Sequence, residues 1–159
     1  MGQFPSLNQA DIDLVDEVLK DLLTKSEATI ALLVEKAGYL IHQSGSPDTI
    51  DTTTFATLGS NAYNAVQFMA SLVNENNFTS MYQQGENFST LMVNVDENSL
   101  LVLVFPTHLT VGSMKYYASP AAKRIAEQIG VASERGDGHG LDLSDLDVPD
   151  AQALFQKGH

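Results

Sequence analysis

The sequence predicts an α/β protein of the α+β type: a single five-stranded antiparallel sheet with helices on both faces, in the order α-β-β-α-β-β-β-α. Three observations predict it. Apolar residues recur at three- and four-residue spacing over 6–26, 51–76 and 109–129, with short β-rich runs between these stretches. Within the first pair and the last three, the runs are joined by short turns, and hairpins and meanders of this kind imply an antiparallel sheet. And 159 residues with 43% hydrophobic and 18% charged content suffice for one domain with a core plus tails, but not for two.

The first helix lies in "SLNQADIDLVDEVLKDLLTKS", where Leu14, Val15, Val18, Leu19, Leu22 and Leu23 form the packing stripe. Ser6 with Gln9 reads as its capping box, and its aspartates read as a solvated face. In "TIALLVEKAGYLIHQSG" an apolar run from Ile30 to Val34 meets a turn at Ala37-Gly38 and a second short run, a β-hairpin. The central helix follows in "DTTTFATLGSNAYNAVQFMASLVNEN", whose set Phe55, Leu58, Ala62, Ala65, Val66, Met69, Leu72 and Val73 reads as the face turned to the sheet. Three strands come next, "FTSMYQQ", "FSTLMVNVD" and "SLLVLVFP", the last two joined at Glu97-Asn98. The final helix spans about 109–129, with Pro120 as a bend. After the domain, 1–132, the Gly-rich stretch 133–140 reads as a flexible linker and 141–159 as an acidic tail. In that tail Pro149 and Asp150 suit a first helical turn, and Leu154 and Phe155, with Leu146 upstream, form the apolar side of a short docking helix.

The central helix has no charged residue between Asp51 and Glu75, and its remaining surface is polar but uncharged. Charges are depleted at the centre of protein interfaces because desolvating them is costly. A chance run in a charge-poor chain is the plainer explanation, but the length of the run favours an interface. Thr57, Asn61, Asn64, Gln67, Phe68 and Ser71 are the candidate contact residues, and small residues at Ala56, Gly59, Ser60 and Ala70 would let a second helix come close.

Composition excludes several functions. A formal charge of -12 opposes binding to a phosphate backbone, so no nucleic acid is expected. There is no cysteine for a disulfide, a zinc-thiolate site or a thiol nucleophile. No apolar run reaches spanning length, so no membrane insertion is expected and a cytoplasmic location is. His42, His108, His139 and His159 fall one to a segment, without metal-ligand spacing. "GDGHG" follows a helix instead of a strand, so it is no dinucleotide loop, and Asp145, Asp147 and Asp150 lack the glycine and glutamate of a calcium loop. No Gly-x-Ser-x-Gly elbow is present. The reading is a binding module without cofactor or catalytic residues of its own.

The hairpin "VEKAGYLI", the helix after "DT", the strand "LLVLVF" and the "VGSMK" that opens the last helix, in this order over about residues 7–131, resemble the roadblock/dynein light chain family, most closely its bacterial gliding-motility branch. Ala37 before Gly38 and Pro120 are departures from the family pattern. The resemblance implies a homodimer in which the central helix and a neighbouring edge strand meet their symmetry mates. It also implies binding to a small Ras-like GTPase, activation of its hydrolysis, and a part in cell polarity at a cell pole. Activators of such GTPases commonly insert an arginine finger. Arg124 and Arg135 are the arginines present, one on the last helix and one in the linker, and activation without a finger is expected. The rival readings are a scaffold dimer that leaves turnover unchanged and a small-ligand sensor.

Overall fold

The computed structural model describes residues 3–45 and 50–157, from 137 onward as backbone path alone. The elements are α1 (Gln9–Ser26), β1 (Ile30–Glu35), β2 (Leu40–Gly45), α2 (Thr52–Leu72), β3 (Ser80–Gln84), β4 (Phe88–Asn94), β5 (Ser99–Pro106) and α3 (Val111–Lys157). The strands form one five-stranded sheet in the order β2-β1-β5-β4-β3, every neighbouring pair antiparallel.

Both faces of this sheet are covered, which explains why its central strands read as unbroken apolar runs. Leu101, Leu103 and Phe105 of β5, with Ala31, Leu33 and Leu91, pack under α1 and α3. Leu100, Val102 and Val104, with Ile30, Leu32, Val34 and Met92, pack under α2. Each fully buried side chain of this kind contributes about 1.5–3 kcal/mol, so β5 alone anchors both layers.

The capping box of α1 falls at Asn8 and Asp11 instead of Ser6 and Gln9. The Asn8 side chain accepts from the Asp11 amide at 2.9 Å, and the Asp11 carboxylate accepts from the Asn8 amide at 2.8 Å. Asparagine caps as well as serine and sits where the helix begins. The aspartates of α1 do not share a solvated face: Asp11 is fully buried and also accepts hydrogen bonds from Gln128 at 2.6 Å and from Arg135, both on α3. Burial pushes its carboxyl up, but the bonds from Arg135, the Asn8 amide and Gln128, with the Arg135 charge, hold it below the usual carboxylate range.

The connection from β4 to β5 turns at the Glu97-Asn98 pair, and Asp96 braces it: its carboxylate accepts from the Asn98 amide at 2.9 Å and the Ser99 hydroxyl at 2.7 Å. At the end of β2, Gly45 has φ 114°, and an added Cβ would run into the Thr29 carbonyl.

The last helix is longer than the sequence suggests. Met114, Ala118, Ala121, Ala122, Ile125, Ile129 and Ala132 are its buried side, and Pro120 is on the exposed side without ending it. Beyond Ile129 the buried Ala132 and the bond from Arg135 to Asp11 keep it on α1, and the helical path continues to Lys157 through the stretch read as a linker. Gly136, Gly138 and Gly140 weaken a helix by about 1 kcal/mol each relative to alanine, and Pro149 by about 3 kcal/mol, without forbidding it.

Candidate interaction surface

The residues of α2 that face the sheet are not the apolar stripe. Thr52, Ala56, Ser60, Tyr63 and Ala70 are the buried positions, at helical spacing, and all but Tyr63 are small. Their size lets α2 lie close on the strands, and at Gly59 an added Cβ would run into the tip of Met92. The expected helix-approach residues Ala56, Ser60 and Ala70 therefore serve the chain's own sheet. The stripe assigned to the core divides instead: Phe55, Ala62 and Val66 are partly buried, and Leu58, Ala65, Met69, Leu72 and Val73 face solvent. Leu72 is 73% exposed and Leu58 63%, values no core residue of a completed fold has.

Turning around the helix from this apolar flank, the candidate polar residues separate into two groups. Thr57, Asn64 and Gln67 are committed within the chain. The Thr57 hydroxyl donates to the Gly38 carbonyl at 2.9 Å, and the Asn64 amide to the Lys36 carbonyl at 3.0 Å, so both tie α2 to the turn between β1 and β2. The Gln67 amide donates to the Phe78 carbonyl and accepts from the Phe78 amide at 3.0 Å, while the Tyr63 hydroxyl donates to the same carbonyl at 3.0 Å. Together they set the path of the chain into β3. Asn61, Phe68 and Ser71 are exposed; Phe68 is 71% exposed, and the Ser71 hydroxyl returns to the Phe68 carbonyl at 2.6 Å.

Beneath α2, the Lys36 ammonium lies 5.6 Å from the centre of the Tyr63 ring and donates to the Asn94 side chain at 2.6 Å and the Asp96 carbonyl at 2.9 Å. Burial pushes its pKa down, against the pull of Asp96 and Glu97, and burial pushes the Tyr63 phenol up. Both are pins within the fold. The strand β3 ends the sheet, and its sequence "SMYQQ" carries neither charge nor proline. Such a short, uncharged edge is open to pairing with another strand.

The other sequence candidates lie away from this surface. His42 bonds Asp16 at 2.8 Å, joining β2 to α1, and His108 is exposed in a loop. Arg124 and Arg135 both belong to α3, across the sheet from α2. His159 lies outside the described residues, and Leu146, Leu154 and Phe155 fall where only the backbone is described. Among the described residues no three His, Asp or Glu side chains are placed to hold a metal, and no helix is long and apolar enough to cross a membrane.

A five-stranded antiparallel sheet between one helix with an uncharged, largely apolar outer face and two helices behind is an α+β domain whose exposed apolar surface is concentrated on α2. Residues 14–105 match the Roadblock/LC7 domain, and the chain belongs to that family. Among solved structures it is similar to an MglB with tetrameric arrangement, at 28% identity and TM-score 0.77, covering 83% of this chain and 99% of that one. It is similar also to the gliding protein MglB of Thermus thermophilus, at 27% identity and TM-score 0.75 over 82% of this chain and 98% of that one. Myxococcus xanthus MglB shares 27% identity at TM-score 0.68, over 71% of this chain and 92% of that one. No curated protein sequence matches the chain.

Proposed function

We propose that the chain is a homodimeric regulator of a small Ras-like GTPase, raising its hydrolysis rate without an arginine finger. The observation that carries this reading is the outer face of α2, where Leu58, Met69, Leu72 and Val73 stand exposed on a helix without charge, beside the open edge of β3. The apolar flank suits a second copy meeting the first across a two-fold axis, strand edge to strand edge and helix to helix. Asn61, Phe68 and Ser71, on the adjoining side and supported by Thr57, Asn64 and Gln67, suit the GTPase. The family resemblance implies both partners, a second copy and a small GTPase, on the paired central helices.

Neither arginine is on the α2 side, and Arg135 is engaged with Asp11, which supports activation by pressing the GTPase's switch segments into their reactive arrangement. The acidic segment 141–159, with Leu146, Leu154 and Phe155 as anchors, adds affinity for the GTPase by tethered docking in this reading. The test is turnover of a cognate Ras-like GTPase with wild type and with Arg124→Ala combined with Arg135→Gln. A finger is worth about three to five powers of ten in rate, so stimulation retained in the double variant supports the reading and its collapse overturns it. Binding without any change in turnover would leave the scaffold alternative.

A further inference from the structure

Three of the chain's eight lysines and arginines, Lys115, Lys123 and Arg124, stand exposed on α3, and none forms an ion pair with a described residue. The other cations of the domain are engaged: Lys20 with Asp16, Lys25 with Asp21, Arg135 with Asp11, and Lys36 under α2. Lys115 and Lys123, with Ser119 between them, wall a groove of about 390 Å³ whose apolar lining includes Val93, Ala122 and Ala126, and whose far side is the start of β3. An apolar channel with unpaired lysines on its rim, in a chain of formal charge -12, fits an acidic amphipathic segment.

The chain carries such a segment. Residues 141–159 hold Asp142, Asp145, Asp147 and Asp150 against Lys157 as the one lysine, interleaved with Leu143, Leu146, Leu154 and Phe155. It cannot reach the groove of its own chain along the observed path. The bond from Arg135 to Asp11 fixes the direction in which α3 leaves the domain, and the helix then runs on to Lys157. At 1.5 Å per residue, residue 142 lies about 24 Å beyond Ala126 on the same axis, directed away from the groove.

We propose that the acidic C-terminal segment of one copy docks in the α3 groove of a second copy, reciprocally, with the two α3 helices antiparallel. Such an exchange is isologous and closes on itself. It lies across the sheet from α2, sharing with the α2-side contact only the start of β3, and as a second contact it doubles the species formed through α2, so it stands independently of the GTPase reading. Where a GTPase also takes the tail, the two contacts compete, and each weakens the other by the same factor.

The test is sedimentation of the full-length chain over a range of concentrations at low and high salt. At low salt, a species of twice the base mass is expected to grow with concentration and to be lost at high salt. Lys115→Glu with Lys123→Glu should abolish it while leaving the base mass and the melting temperature unchanged, since both lysines are exposed. Asp145→Lys with Asp147→Lys should abolish it too, and mixing the two charge-reversed proteins should restore a mixed species. Absence of the doubled species in the wild type at low salt, or its persistence in the lysine variant, overturns the proposal. So do carbodiimide cross-links from Lys115 or Lys123 to the tail that stay within one chain in a mixture of isotopically heavy and light protein.

Discussion

Asp11 joins what two helices need. Its carboxylate completes the cap of α1 and receives Gln128 and Arg135 from α3, so one buried charge holds the first turn of the domain to the point where the last helix leaves it. Because its pKa is lowered in the folded protein, the stability it contributes is present above the unfolded carboxylate value, about 3.9, and is lost as pH falls through the lower folded value. Asp11→Asn is therefore expected to be less stable than wild type near neutral pH, with the difference closing as both are taken down through the carboxylate range. Urea unfolding at several pH values measures this, and a difference independent of pH would assign the loss to geometry instead of charge. Gly45 is a second single-residue constraint: its φ of 114° and the nearby Thr29 carbonyl leave no place for a Cβ. Gly45→Ala should cost more than about 1 kcal/mol in the same measurement.

At the scale of the element, α2 has two faces with opposite requirements. Ala70 is wholly buried on the sheet, so Ala70→Arg puts an unpaired charge into the core at a cost of several kcal/mol, comparable with the whole stability of a domain of this size. Met69 and Leu72 flank it in sequence but point outward. Met69→Glu with Leu72→Glu should leave the circular dichroism of the folded chain intact and halve the mass seen by light scattering, because the charges disturb only the self-contact. Retention of the full mass would move the self-contact off this flank. The contrast also shows what was legible in the sequence. The sheet and its five strands were, because a strand buried on both faces is written as an unbroken apolar run such as "LLVLVF". The orientation of α2 was not, because periodicity locates an apolar stripe without saying whether the chain's own sheet or another molecule covers it. The small residues at 52, 56, 60 and 70, with Tyr63, held the missing signal: a helix packed tightly on a sheet puts its small side chains inward. The continuation of α3 beyond Ile129 was hidden for another reason, since the ion pair that carries it is 124 residues apart in sequence.

At the scale of the molecule, charge is distributed so that the ends are dense and the middle is thin. Residues 141–159 bring four aspartates and one lysine, and they follow Arg135, the last side chain seen held to the domain. Removing 141–159 therefore takes away no described core contact, and the truncated chain should keep its melting temperature and its α2-mediated mass. Its binding to the GTPase should change in two ways. Affinity should fall, because a tethered second contact raises effective concentration at the main one. The dependence on salt should also become shallower, because exposed aspartates act over a screening length of about 10 Å at 0.1 M salt and the removed segment supplies four of them. Titration calorimetry of full-length and truncated protein with the GTPase at two ionic strengths separates these effects. Replacing Leu154 and Phe155 by alanine in the full chain should reproduce the loss of affinity while keeping most of the salt dependence, since the aspartates remain. If the truncated and full-length chains bind equally at low salt, the segment acts as a solvated appendage toward the GTPase, and whatever docking it performs is with another copy of the chain.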